Sequence, residues 1–293
     1  MKRWIGTAFI GLLIAGWVFP ASAGTPNPQF LVNTTWLAAR LQDPGIRIVD
    51  MSTERKDYLV GHIPGAVYVN VNDIREMVPS GGYELPSKGQ VEQLLSRLGI
   101  GNNTMVVIYD DSGGLHAARL FFTLDVFGHT KMALLDGGIR AWHRGNGPVS
   151  KDLPKITRAT YRATPRPERV VRAEWIVGAL KDPRVALADA RSPKEYRGEE
   201  LFSKRGGHIP GAKNIEWGQH LRPDKTFKSP DELKALYTAQ GVTPEKTVVT
   251  YCQTHHRAAH GYFVLRLLGY DDVRGYDRSW AEWGNRDDLP IAR

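Results

Sequence analysis

The only cysteine of the chain, Cys252, is followed by Gln253-Thr254-His255-His256-Arg257. A thiol set among imidazole and guanidinium groups is a natural nucleophile. The thiolate is the reactive form, and neighbouring positive charge lowers a thiol pKa from about 8.5 towards neutrality or below. The preceding Val248-Val249-Thr250-Tyr251 is β-branched and aromatic, and a helical pattern follows the polar stretch. Cys252 therefore stands where a strand turns into a helix, on the side of an open α/β sheet where ligands bind. Loop amides and the helix N-terminus add partial positive charge there. A buried, inert cysteine is the alternative, but such a residue is not usually set in a polar, cationic loop.

The elements that position this thiol are written twice. Arg47-Ile48-Val49-Asp50 leads to Gly61-His62-Ile63-Pro64-Gly65-Ala66, and Ala186-Leu187-Ala188-Asp189 leads to Gly207-His208-Ile209-Pro210-Gly211-Ala212. The run from Thr104 to Asp110 matches that from Thr247 to Cys252, and both copies close on an aspartate and a Trp-bearing segment, Asp136 to Trp142 and Asp277 to Trp283. An ordered internal repeat of this length means two similar structural units. In each copy, helices expected at 34–41, 87–98 and 115–127, and at 173–181, 229–240 and 258–268, alternate with short strands, including 105–109 and 248–251. That alternation implies two α/β domains, each a mostly parallel sheet flanked by helices. The Pro in each Gly-His-Ile-Pro-Gly turn fixes one backbone angle and the Gly permits another, so the pentapeptide builds a tight connection. Both copies carry it and only one carries a cysteine, so His62 and His208 read as structural.

The boundaries expected are residues 24–147 for the first domain, 148–169 for a Pro-, Thr- and Arg-rich linker, and 170–293 for the second. Residues 1–23 read as a signal peptide: Lys2 and Arg3, an apolar run from Trp4 to Phe19, then Ala21-Ser22-Ala23 as the cleavage site. The apolar run is short against the ~20 residues a bilayer span needs, so no stable membrane anchor is expected after cleavage. Export to a periplasm-like compartment follows, and one cysteine leaves no intrachain disulfide to form there. The net charge of +8 is dispersed among acidic residues, which argues against nucleic acid as a partner.

Asp189-Ala190-Arg191-Ser192 with Glu195-Tyr196, the turn at 207–212, the run into Cys252 and the closing segment from Asp277 to Trp283 resemble the tandem-domain rhodaneses over residues 30–291. The resemblance implies transfer of a sulfane sulfur from a small anionic donor, thiosulfate or 3-mercaptopyruvate, to cyanide or a thiol acceptor, protein thiols included. It implies a Cys252 persulfide and no metal or organic cofactor. It also implies an inactive first copy, with Asp110 at the cysteine position. By the same resemblance Arg191 faces the donor anion, Arg257 matches an arginine five residues after the cysteine, and Gln253, Thr254, His255 and His256 belong to the amide cradle of the persulfide. These four depart from the familiar loops, Cys-Arg-Lys-Gly-Val-Thr for thiosulfate and Cys-Gly-Ser/Ala-Gly-Val-Thr for mercaptopyruvate. Two protonatable histidines beside Arg257 and Arg191 favour thiosulfate, a compact dianion.

Three rival readings share parts of this pattern. A rhodanese-fold phosphatase needs a loop one residue longer to enclose phosphate, since only four residues separate Cys252 from Arg257. A zinc site on Cys252, His256 and His260, with His255 adjoining, suffers because Cys252 precedes the helix, so the spacing need not converge. The helix turns Tyr262, Leu265 and Leu268 inward, which leaves His260 as a surface or helix-face residue. A persulfide carrier without turnover shares the Cys252 chemistry.

Overall fold

The computed structural model describes residues 25–79 and 81–293, so the apolar N-terminal run and its cleavage site lie outside the described residues. The first half contains strands β1 (Leu31–Val32), β2 (Ile46–Asp50), β3 (Val67–Tyr68), β4 (Glu76–Met77), β5 (Tyr83–Glu84), β6 (Met105–Tyr109) and β7 (Met132–Leu135). Its helices are α1 (Thr34–Ala38), α2 (Arg55–Val60), α3 (Lys88–Arg97), α4 (Leu115–Val126) and α5 (Gly138–Arg144). The second half contains α6 (Ala173–Ala179), β8 (Val185–Asp189), α7 (Pro193–Arg197), β9 (Lys213–Asn214), α8 (Pro230–Thr238), β10 (Thr247–Tyr251), α9 (His256–Leu267), β11 (Val273–Gly275) and α10 (Ser279–Trp283).

Two parallel sheets result, in the order β1-β7-β6-β2-β3 and β11-β10-β8-β9. Their registers match: Asp50 lies beside Tyr109 in the first, Asp189 beside Tyr251 in the second. Where β1 pairs with β7, the second half has a single parallel bridge from Val170 to Gly275. Central strands are apolar on both faces, as helix-covered parallel strands must be: all five residues of β6 are buried. Helix starts follow sequence signals. Ser87 with Gln90, Ser192 with Glu195 and Ser229 with Glu232 form reciprocal capping boxes before α3, α7 and α8.

Helices α4 and α9 pack against each other and fuse the halves into one core. Phe121 meets Phe263 and Phe122 meets Tyr262 edge on, at centroid distances of 5.0 and 4.9 Å. The connecting segment is tied to the same seam, with Arg166 paired to Asp125 of α4 at 2.6 Å. Both turn histidines are structural. His62 stacks on Tyr58 and bonds its carbonyl at 2.8 Å, and His208 does the same with Tyr196 at 2.9 Å.

Two expectations are corrected here. Helix α9 begins at His256, not 258, so Arg257 sits in its first turn and not in the loop. His260 is fully buried, because a helix packed against a sheet on one side and α4 on the other leaves no solvent face at that level. Among the described residues no helix is long and apolar enough to cross a membrane.

Candidate active site

Cys252 follows the last residue of β10 and is 1% exposed. Burial does not make its surroundings apolar. It clusters with Ala190 and Ala258, against which Trp217 packs, but the backbone around it is a set of polar groups held in place from several sides. Its N–H donates to Ser279 Oγ (3.3 Å), and its carbonyl accepts from Trp280 N–H (3.0 Å). The next carbonyl, of Gln253, accepts from Ala281 N–H (2.9 Å). Helix α10 thus pins the start of the loop. The Gln253 side chain donates to Phe202 O and Ser203 Oγ, both at 3.0 Å, and Thr254 is half-buried in the same bend.

The loop ends at His255, whose φ of 53° is left-handed, a costly state for a residue with a side chain. Its buried imidazole secures that state. Arg119 Nη1 of α4 can only donate, so His255 Nδ1 (3.2 Å) accepts, and the ring proton on Nε2 goes to Thr250 Oγ1 (3.1 Å). Gly275 leaves room for the ring, since a Cβ there would lie 2.6 Å from His255 Nε2. Ala259 N–H is the first to bond back, to His255 O (3.2 Å). Helix geometry leaves the preceding amides of His256, Arg257 and Ala258 without intrahelical acceptors, at the mouth of the Cys252 loop.

The first half repeats this arrangement around Asp110. Its buried carboxylate accepts from the amides of Ser112 (2.9 Å), Gly114 (2.8 Å), His116 (2.8 Å) and Ala117 (3.0 Å). Gly114, at φ 90°, closes the loop, and Ala118 N–H bonds back to Gly114 O as Ala259 does to His255. Four steps separate Asp110 from Gly114, and three separate Cys252 from His255. The first loop is an anion cradle filled by its own carboxylate. The second has a sulfur at the same place.

The charged residues near Cys252 are less free than expected. Arg257 makes a bidentate pair with Glu195, at 2.5 and 2.7 Å. Burial works against both charges, but the pair prevails: Glu195 is held below the usual carboxylate range, and Arg257 is raised further by the Cys252 sulfur. Arg191 does not stand open to a donor. It is 1% exposed, and its Nε and Nη2 are committed to Asp189 (2.6 to 3.1 Å) and Gly207 O (2.8 Å). Its face packs over Trp280, 4.4 Å from the ring centroid. The guanidinium braces the strand end next to Cys252 and has its charge matched there. The expected charge on the loop histidines is also overturned. Burial first, and then the field of Arg119, hold His255 neutral, well below the ordinary imidazole range. His256 is depressed too, by burial, then by His116, Arg119, Arg75 and Arg257. An electrostatic preference for thiosulfate based on two imidazolium groups therefore falls.

Sequence reasoning missed Glu195, Ser279 and Arg119 as site residues. A Ser192-to-Glu195 capping box is a sequence signal, but Arg257 as the partner of both Glu195 carboxylate oxygens is not. Arg119 did leave a signal, a lone arginine inside the apolar run of α4. Cys252, His256 and His260 do not converge as a zinc triad. His256 faces His116, and His260 bonds Gly113 O (3.0 Å) and His220 (3.0 Å).

Comparison with known proteins places these features in a wider group. The Rhodanese-like domain family matches residues 33–145 and 172–286. The sulfur carrier protein TtuD of Thermus thermophilus is 38% identical over 283 residues, covering 92% of this chain and 99% of that protein. A thiosulfate sulfurtransferase of Azotobacter vinelandii is 37% identical over 255 residues, with 87% and 94% covered. Among solved structures, SseA from Escherichia coli, described with the mechanism of 3-mercaptopyruvate sulfotransferases, superposes with a TM-score of 0.77 at 28% identity, over 86% of this chain and 98% of that one. YnjE reaches a TM-score of 0.83 at 28% identity, over 91% and 69%.

Proposed function

The chain belongs to the rhodanese family and is a sulfurtransferase, and from that premise we propose that Cys252 carries the sulfur as a persulfide, with thiosulfate as the donor. The observation that carries this reading is the matched pair of loops. A position that in one half holds a carboxylate in four amides holds in the other half a thiol at the head of α9. A persulfide anion on Cys252 takes the place of that carboxylate, stabilised by amides and helix dipole that cost no reorganisation.

In the forward step the Cys252 thiolate attacks the outer sulfur of thiosulfate. The S–S bond of the donor breaks and its electron pair leaves on sulfite. In the return step cyanide or an acceptor thiolate attacks the terminal persulfide sulfur and restores the Cys252 thiolate. Arg257, fixed by Glu195, keeps positive charge beside the sulfur throughout. Arg191 and Ser279 act as positioning residues, one bracing the strand end and the other holding the Cys252 amide. The short loop suits one sulfur atom and crowds a phosphate. Residues 1–23 direct export in this reading, with cleavage after Ala23.

A second reading, a carrier that hands sulfur to a dedicated partner, is favoured by the likeness to TtuD, named a sulfur carrier protein. Thiocyanate production from thiosulfate plus cyanide, run beside Cys252→Ser, tests the enzyme reading. Turnover lost in the variant is expected. Undiminished turnover sinks it, and a stable persulfide without turnover selects the carrier. Initial rates with thiosulfate and with 3-mercaptopyruvate decide the donor.

A further inference from the structure

The seam between the halves carries a group of basic side chains whose hydrogen-bond donors are not all used. Helix α4 presents His116 and Arg119, three residues apart and so on one face, to the start of α9. The His116 ring meets His256 edge on, with centroids 4.8 Å apart. Arg119 is 1% exposed, and its Nη1 serves Asp277 and His255. Its Nε and Nη2, and the Nε2 of His256, are shut off from solvent and have no hydrogen-bond partner among the described residues. Buried donors left unpaired cost about 1–3 kcal/mol each, more when charged, so native proteins rarely keep them without a ligand or a use.

Arg75 joins this group: it follows the 3-10 turn Val71–Ile74, which packs on α4, and its field reaches both Arg119 and His256. Its two hydrogen bonds, at 3.0 and 2.8 Å, go to the neutral Oδ1 of Asn72, and its face lies over the Tyr83 ring, 3.9 Å from the centroid. Three guanidinium groups therefore act on His256: Arg75, Arg119 and Arg257. The carboxylates paired with them are Asp277, on Arg119, and Glu195, on Arg257. The charge of Arg75 is left over. Unused donors beside unmatched positive charge are what a small oxyanion requires.

We propose that Arg75, Arg119 and His256 form an anion subsite at the domain seam, which takes the sulfonate end of thiosulfate and holds the sulfite left after sulfur transfer. The proposal rests on the sulfur-transfer reading of Cys252, four residues before His256. It gives the cysteine-free half a direct part in donor recognition. The sulfonate oxygens accept from the guanidinium N–H groups while the outer sulfur passes to the Cys252 thiolate and the bond electrons leave on sulfite. His256, neutral, donates from Nε2.

The probes are sulfite and thiosulfate. Sulfite binding is measured by calorimetry on the Cys252→Ser protein, alone and with Arg75→Gln or Arg119→Lys added. The lysine keeps a cation for Asp277 but loses the unused donors, so the seam can still close. Each change is expected to weaken sulfite binding about tenfold, the worth of one charge-assisted hydrogen bond, and to raise the thiosulfate KM by a similar factor when Cys252 is intact, with a smaller change in kcat. Unchanged sulfite affinity and unchanged KM in both variants overturn the subsite. Sulfite binding that depends on Arg75, together with no persulfide on the protein that keeps Cys252, upholds the subsite while removing the Cys252 reading. Persulfide formation with unaltered KM does the reverse.

Discussion

The Asp110 and Cys252 loops are built to one plan and differ in what they hold. Each follows the central strand of its sheet, closes on a left-handed residue and opens into the helix at the domain seam. Each is braced by the helix of the other half. Arg119 of α4 bonds His255, and His260 of α9 bonds the carbonyl of Gly113. In the first loop the carboxylate occupies the amides permanently, and nothing remains for a ligand to do. In the second, the shorter loop places a sulfur where the carboxylate would be. The cradle belongs to the scaffold, while the chemistry comes from one side chain, with a fixed Arg257–Glu195 pair beside it.

The comparison is broken most severely at Cys252. Cys252→Ser removes the nucleophile while keeping a small polar side chain, and thiocyanate formation is expected to fall by at least about a thousandfold, as loss of a catalytic nucleophile does elsewhere. Retention of a tenth of the rate would mean that the two loops do not differ in the way described.

Acid should loosen the brace on the Asp110 side. Gly113 O can only accept, so His260 donates from Nε2 and accepts on Nδ1 from His220, whose Nε2 in turn accepts from Tyr237. In this arrangement both rings are neutral. Burial pushes His260 down to about 4 and His220 well below its ordinary value, aided by His260. Between the unfolded pKa, about 6.5, and these folded values, the unfolded chain binds protons that the native one does not. Stability is therefore full above pH 6.5 and falls as pH drops through that window, by roughly 3 kcal/mol for His260 alone. Urea midpoints at pH 7, 5.5 and 4.5 check this, and a flat profile would count against the buried chain.

Asp110→Ala empties the first cradle and leaves its amides unpaired, which should cost about 2–3 kcal/mol in thermal or urea unfolding. The Asp110 change should act on stability far more than on thiosulfate turnover per folded molecule; the opposite pattern would give the first loop a catalytic part. Glu195→Gln should cost about 1–2 kcal/mol, since Arg257 keeps partial access to water, and should lower kcat/KM about tenfold by releasing Arg257 from its position. An unaltered kcat/KM would show that Arg257 needs no anchor.

The repeat and the strand-to-helix position of Cys252 were legible because they rest on local pattern: β-branched runs, Ser-led helices and a duplicated turn. The helices after Ser87 and Ser229 were legible for the same reason, and the short one after Ser192 was not expected. What remained hidden depends on the other half of the molecule. His255 and His256 look titratable in sequence, yet His255 is buried beneath Phe122 and Arg119 of α4, and the half-buried His256 packs against His116. Arg191 looks free until its strand-end carboxylate, Asp189, folds back two residues to meet it. The start of α9 was placed late because His255-His256-Arg257 reads as loop chemistry, while tertiary packing extends the helix through it.

The central claim, a persulfide on Cys252, has one direct test. The reduced protein is treated with thiosulfate, freed of excess donor, and its intact and peptide masses are measured before and after cyanide. A gain of one sulfur atom on the Cys252 peptide, lost on adding cyanide with an equal amount of thiocyanate released, is the predicted result. Sulfur transfer with no added mass at Cys252, or the same added mass in Cys252→Ser, would contradict it.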